Sequence, residues 1–142
     1  MYADYSQWKN WYSQFKEHKI IEQIDPNACI ERVVYSSPGG ASDRDFIQMS
    51  VTEENDGGYL NVQMSIEDSR VPPCSGCVRA DTQLTATLIQ KVSDSQTKMT
   101  YVRQVDLGGY LPGFLRNMIS SKQPMCIAML RDCVLKQTKS SS

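Results

Sequence analysis

The sequence predicts an α+β fold in which an antiparallel sheet packs against a long C-terminal helix. Three observations support this prediction. Aromatic residues near the N-terminus have helical spacing, about six segments have the alternation or composition of strands, and the C-terminal segment is long and amphipathic. No internal repeat or linker divides the 142 residues, so we expect one domain.

The first predicted element is a helix over residues 4–17, with Asp4 as its N-cap. Trp11 lies beside a face formed by four aromatic residues at steps of three, four and three: Tyr5, Trp8, Tyr12 and Phe15. This face is expected either to pack into the core or to line a cavity.

Six strands are predicted next, each bounded by turn residues. They cover residues 19–24, 29–35, 46–52, 59–66, 77–92 and 98–107. The sequence Asp25-Pro26-Asn27 and the Gly-containing segment 54–58 predict two hairpin turns.

The last element is a helix predicted over residues 112–137, which begins at Pro112 after Gly108 and Gly109 end the sheet. Pro124 should kink this helix or split it into two. The domain is therefore expected to occupy residues 1–139, with a disordered tail at 140–142.

Composition and charge exclude some functions. The net charge of −1 argues against nucleic-acid binding, and no apolar run is long enough to span a membrane. Residues 1–4 do not resemble a signal peptide, so we expect a cytoplasmic protein. Residues 112–142 have five basic residues and one acidic residue, a balance of +4 against −5 for residues 1–111. This segment is expected either to attract the chain to an anionic membrane surface or to form an ordinary solvated helix face.

The cysteines and the single histidine offer little chemistry. Cys74 and Cys77 form a CxxC pair, but the segment that follows is strand-like and no second close cysteine pair completes a zinc site. His18 is the only histidine, so it has few partners for catalysis. We therefore expect reduced loop thiols, no metal, no cofactor and no catalytic residues.

Six short motifs occur in order along the chain. They are Trp11 with residues 19–25, Asp43-Arg44-Asp45-Phe46-Ile47, Ser65-Ile66 with Val71-Pro72-Pro73, Val78-Arg79-Ala80, Thr100-Tyr101-Val102, and residues 105–112. Together they resemble the START family, the StAR-related lipid-transfer domains. The resemblance covers residues 5–137 and implies a helix-grip fold, in which a strongly curved antiparallel sheet is closed by the C-terminal helix over a lipid tunnel.

The resemblance also implies that the family's first helix and first three strands would precede residue 1. The chain resembles the C-terminal two-thirds of such a domain, and the strand at 98–107 would be left as an unpaired edge. Self-association through this open edge is an expected consequence.

The function implied by the resemblance is binding and transfer of a single lipid, with phospholipid preferred to ceramide and sterol. In ceramide-carrying members the matching head-group positions fall on Tyr12, Val33, Gln63 and Tyr101; Tyr101 matches, Gln63 is a conservative change, and Tyr12 and Val33 differ. The residues expected to contact the lipid are Trp8, Tyr12, Phe15, Gln63, Tyr101, Met118 and Met129. Strand alternation disagrees at Gln63, because it directs Leu60 and Met64 inward and Gln63 to solvent.

The resemblance implies a gate made of the loop at residues 36–42 and the C-terminal helix. Four residues are expected to serve the gate or contact the membrane: Gly39, Tyr110, Leu111 and Lys136. Arg44, Asp45 and Arg79 are expected to be structural ion-pair or turn residues.

Two other functions stay open. A truncated START module could sense lipid or bind a protein through its open edge, without transfer activity. Catalysis is disfavoured because no nucleophile and base are paired in the sequence.

Overall fold

The computed structural model describes residues 3–140 and has a 3₁₀ helix, seven strands and two α-helices. After the 3₁₀ helix Tyr5–Asn10, the strands are β1 (Phe15–Asp25), β2 (Ala28–Tyr35), β3 (Asp43–Asn55), β4 (Gly58–Ser65), β5 (Cys77–Arg79), β6 (Asp81–Lys91) and β7 (Thr97–Asp106). The helices are α1 (Gly113–Lys122) and α2 (Met125–Ser140).

The strands form one curved, open sheet in the order β1-β2-β3-β4-β6-β7. Its pairs along this path are antiparallel, and the two expected hairpins are present: Asp25 pairs with Ala28, and Asn55 with Gly58. The strand at 98–107 does form one edge of the sheet, as β7. The α+β prediction and the helix-grip arrangement are therefore confirmed.

The predicted N-terminal helix over residues 4–17 is wrong in extent. Asp4 does cap a helix, because its carboxylate accepts a hydrogen bond from the Ser6 amide at 2.9 Å. The helix ends at Asn10, however, and Phe15 already pairs with Tyr35 in the β1–β2 ladder. Sheet pairing therefore overrides the helical spacing of the aromatic residues.

The predicted strand 77–92 is divided by Ala80 into β5 and β6. Three residues of β5 pair in parallel with the start of β3, and the Ala80 amide then donates to the Asp45 carbonyl at 2.9 Å. Asp45 also forms an ion pair with Arg79, at 2.8 Å. The structural role predicted for these two residues is confirmed.

Pro124 splits the C-terminal helix, as predicted, into α1 and α2. The expected tail begins too early, because Ser140 is still helical; residues 141 and 142 lie outside the described residues. The expectation of reduced thiols is wrong at one pair, since Cys74 and Cys77 form a disulfide.

Candidate functional site

The inner face of the sheet, which faces α2, is polar. Its buried side chains, called the polar floor below, are Glu31, Gln48, Ser50, Asn61, Gln63, Thr82, Thr85 and Thr87. Alternation gave the wrong side for β4: Leu60 and Met64 are 37% and 52% exposed, whereas Gln63 is 8% exposed. The inward position of Gln63 implied by the family resemblance is the one observed.

Glu31 is the centre of the polar floor and is 2% exposed. Its Oε1 accepts hydrogen bonds from Gln48 Nε2 at 2.9 Å and Gln63 Nε2 at 3.0 Å, and from the Tyr5 hydroxyl at 3.2 Å. Its Oε2 lies 2.8 Å from His18 Nε2. Both oxygens of the carboxylate thus have protein partners, which explains how a polar inner face remains stable.

Sequence reasoning did not find this cluster. Glu31 is one acid within a strand of mixed character, and its importance arises only when β2 pairs with β3 and places it opposite Gln48. The single histidine, His18, was the one sequence feature that could have indicated this cluster. It pairs with Glu31, and its ring stacks on Tyr5 with 3.8 Å between centroids.

Trp8, Trp11 and Tyr12 of the N-terminal segment pack over the polar floor and are called the aromatic wall below. Trp8 lies 5.0 Å from Trp11 and 5.9 Å from Tyr12 between ring centroids, and all three are buried. Cys126 and Leu130 of α2 belong to the same apolar cluster. Both alternatives for the aromatic face therefore hold, because it packs into the core and also lines a cavity.

That cavity has a volume of about 20 Å³, enough for about one water molecule. Four of the predicted site residues line it: Trp8, Tyr12, Gln63 and Tyr101. Phe15 packs in the aromatic cluster and is not part of the lining. Met118 packs against a separate cluster, and Met129 is 36% exposed, so neither methionine lines this cavity.

A second cavity of about 30 Å³ adjoins Tyr12 and Tyr35. A third space, the groove beside β7, is larger. It is an open groove of about 670 Å³ between β7 and the junction of α1 with α2. Tyr101, Arg103, Gln123, Pro124 and Ile127 are among its lining residues. This groove lies beside the break in the C-terminal helix and shares Tyr101 and Arg103 with the lining of the 20 Å³ cavity.

The phenols of this interior remain protonated near neutral pH. Burial raises the pKa of Tyr12 to about 12 and also raises the pKa of Tyr101. Each hydroxyl can therefore donate as well as accept a hydrogen bond. The Tyr101 hydroxyl accepts a hydrogen bond from Arg103 Nη1, at the long distance of 3.5 Å.

The predicted gate residues lie around α1. Gly39 has φ of +66°, and a Cβ there would lie 2.6 Å from Leu115 Cδ2, so the loop packs closely on this helix. Leu111 is buried with Leu115, whereas Tyr110 is 91% exposed. Lys136 is exposed on α2.

No helix in the described residues 3–140 combines the length and apolar character needed to cross a bilayer. Within the same residues, His, Cys, Asp and Glu side chains do not gather in threes or more as a metal site.

An open antiparallel sheet with a C-terminal helix across its inner face is the arrangement of helix-grip domains. The START domain model matches residues 1–140. The chain belongs to the START domain family.

Individual relatives agree with this assignment. The chain is 27% identical over 117 residues to the chicken (Gallus gallus) mitochondrial steroidogenic acute regulatory protein, covering 80% of this chain and 42% of that protein. The mouse (Mus musculus) protein of the same name is 26% identical over 116 residues, covering 79% and 41%. The chain thus spans about two fifths of the length of these curated relatives.

Solved structures show the same fold. Human STARD10 superposes with a TM-score of 0.84 at 26% identity, covering 96% of this chain and 56% of that one. Human StAR-related lipid transfer protein 5 gives a TM-score of 0.76 at 23% identity, covering 92% and 62%.

Proposed function

We propose that this chain binds one lipid between the polar floor and α2 and transfers it between membranes without catalysing a reaction. Phospholipid is the preferred class, ahead of ceramide and sterol. The observation on which the proposal chiefly rests is the interior itself: a polar floor and an aromatic wall lie under a helix that adds few buried side chains. A ligand with both a polar head and apolar chains fits such surroundings.

The cavities of about 20 and 30 Å³ are too small for a lipid, so binding requires α2 to move. The buried residues of α2 are Cys126 and Leu130. Exposing two apolar side chains costs roughly 3–6 kcal/mol. Transfer of lipid chains from water is worth roughly 0.8 kcal/mol per CH₂, so a lipid with long chains can offset this cost. The break at Pro124 supplies a hinge for the movement.

Membrane contact is proposed for the start of α1 and for the basic end of α2. Tyr110 and Phe114 are 91% and 68% exposed, which suits aromatic side chains at head-group depth. Lys136 and Lys139 would add attraction to an anionic leaflet. The protein is therefore expected to act at the cytoplasmic periphery of membranes.

Native mass spectrometry of the purified chain, followed by extraction from vesicles of phosphatidylcholine, ceramide, cholesterol or fatty acid, tests the carrier function. One bound lipid per chain is expected, and failure to extract any of the four would refute it. Tyr101→Phe should weaken retention of a polar lipid by about 1 kcal/mol, the value of one hydrogen bond.

The membrane step has its own test. Transfer should accelerate on vesicles containing anionic lipid and slow with added salt. The double variant Lys136→Gln, Lys139→Gln should reduce this acceleration, whereas Lys9→Gln with Lys98→Gln, which removes the same charge elsewhere, should not. Equal rates on neutral and anionic vesicles would contradict the electrostatic part of the proposal.

A lipid-sensing or protein-binding module is the second candidate, and the edge strand β7 favours it. Within residues 3–140, β7 pairs with β6 alone, so its other side offers main-chain donors and acceptors to a partner strand. A second copy of the chain is the simplest partner. Light scattering should then show dimers or larger species, and a stable monomer would contradict self-association through β7.

A further inference from the structure

Arg103 differs from the other arginines that reach into the fold. Arg44 donates to the carbonyl oxygens of Leu107, Ser42 and Gly108 at 2.6–3.1 Å, and Arg79 is paired with Asp45. Arg103, by contrast, has no carboxylate of the described residues within ion-pair distance. Its Nε is shielded from solvent and has no hydrogen-bond partner.

The surroundings of this guanidinium are aromatic. Its Cζ lies 5.5 Å from the ring centroid of Tyr35 and 5.6 Å from that of Phe46. Both rings offer cation–π attraction, but neither accepts a hydrogen bond in the plane of the guanidinium. Glu31, a buried acid of the same interior, is already occupied by other donors. Arg103 is half-buried, and its Nη1 donates to one neutral acceptor, the Tyr101 hydroxyl, at 3.5 Å. A partly shielded cation without a counter-charge is unfavourable, so it would attract an anion that enters this space.

The position of Arg103 among the cavities is a second observation that points to a ligand. Arg103 lines both small cavities and also the open groove beside β7, so it borders all three spaces. Trp11 lines the smallest cavity with it, and its Nε1 is likewise buried without a hydrogen-bond partner. The two residues that carry these unused N–H donors therefore line the same space. A water molecule in that cavity can accept from a donor, but it provides no negative charge.

We propose that Arg103 binds the negatively charged group of the ligand, a carboxylate or a phosphate, and thereby makes the site selective for acidic lipids. The guanidinium offers a planar fork of donors that matches either anion. Trp11 Nε1 and the hydroxyls of Tyr12 and Tyr101 supply further donors around it. The inference rests on the proposed lipid-binding function and specifies its ligand class.

The test uses lipids that differ only in the anionic group: oleic acid against methyl oleate, and dioleoylphosphatidic acid against dioleoylglycerol. Affinities of the full chain are measured by displacement of a fluorescent fatty acid. The acidic member of each pair should bind about ten- to a hundredfold more tightly, the range expected for a charge-assisted hydrogen bond. This comparison needs no variant, so it can refute the proposal by itself.

Three variants locate the effect. Arg103→Met should abolish the preference while leaving the neutral lipids nearly unchanged, and Arg103→Lys should retain part of it. Arg131→Met removes the same charge from the exposed surface of α2 and should behave as wild type. Circular dichroism checks folding, and Arg103→Gln replaces the methionine variant if that one does not fold.

Equal affinity for the acidic and neutral members, or a preference that persists in Arg103→Met, would overturn the proposal. Inorganic phosphate, tested alone for its effect on the unfolding midpoint, separates a lipid site from a free-anion site. If no lipid binds, the carrier function fails. In that case stabilisation by phosphate that disappears in Arg103→Met would still support an anion site, and no stabilisation would refute it.

Discussion

Glu31→Gln should destabilise the domain by about 3 kcal/mol. Three donors converge on Oε1 of the carboxylate, from Gln48, Gln63 and Tyr5. A hydrogen bond to a charged acceptor contributes roughly 1 kcal/mol more than one to a neutral acceptor, so three such bonds lose about 3 kcal/mol when the acceptor becomes an amide. The new NH₂ group would also have to face His18, across a distance of 2.8 Å in the wild type.

Urea unfolding measures this loss, with the fluorescence of buried Trp8 and Trp11 as the signal. Glu17→Gln is the matched control, because Glu17 makes an ion pair with Arg32 but is 53% exposed. A surface pair of this kind is worth about 0–1 kcal/mol. If Glu31→Gln costs no more than Glu17→Gln, the buried cluster does not hold the inner face together as we describe.

Three other measurements test the packing. The pKa of the Tyr12 phenol is about 12 in the folded chain against about 10 in the unfolded chain, so its contribution to stability is complete below pH 10. Between pH 10 and 12 the free energy of unfolding should fall by about 3 kcal/mol. Urea titrations of Tyr12→Phe should show a smaller fall. Gly39→Ala should lower the thermal midpoint more than Gly40→Ala, because both glycines have positive φ but only the first would meet a side chain of α1; equal losses would contradict this. Leu130→Ala should lower the free energy of unfolding by about 3 kcal/mol, because Leu130 is 7% exposed. Leu135→Ala should lower it by less than about 1 kcal/mol, because Leu135 is 54% exposed. Similar urea midpoints for the two variants would show that the buried leucine does not hold α2 against the fold.

The hairpins and the helix break could be predicted because their signals are local. Residues 25–27 and 54–58 contain the turn chemistry that closes a hairpin, and Pro124 interrupts a helix whatever surrounds it. The N-terminal helix was predicted too long because its end depends on a distant residue. Phe15 leaves the helical spacing to pair with Tyr35, which no local pattern reveals.

The site was only partly predictable for a related reason. Alternation groups the side chains of β4 correctly but does not say which group is buried. Here Gln63 is inward because Glu31 accepts its hydrogen bond, and that partner is 32 residues away. Arg103 was missed because its strand was interpreted through Tyr101. Its lack of a carboxylate partner becomes visible only when α2 and the aromatic residues of the N-terminal segment are in place.

The sheet buries polar side chains on its inner face and exposes apolar ones on its outer face, and this arrangement also affects how the free energy of unfolding varies with temperature. Apolar side chains on its outer face, among them Val51, Leu60 and Met64, are already 37–52% exposed in the folded chain. Unfolding therefore hydrates less new apolar surface, and more new polar surface, than in a domain of ordinary pattern. Since apolar hydration raises the heat capacity and polar hydration lowers it, the heat-capacity increment of unfolding should fall below the usual value of about 12–15 cal/mol/K per residue. The stability curve is then flatter, so folding is maintained almost evenly from cold to warm conditions.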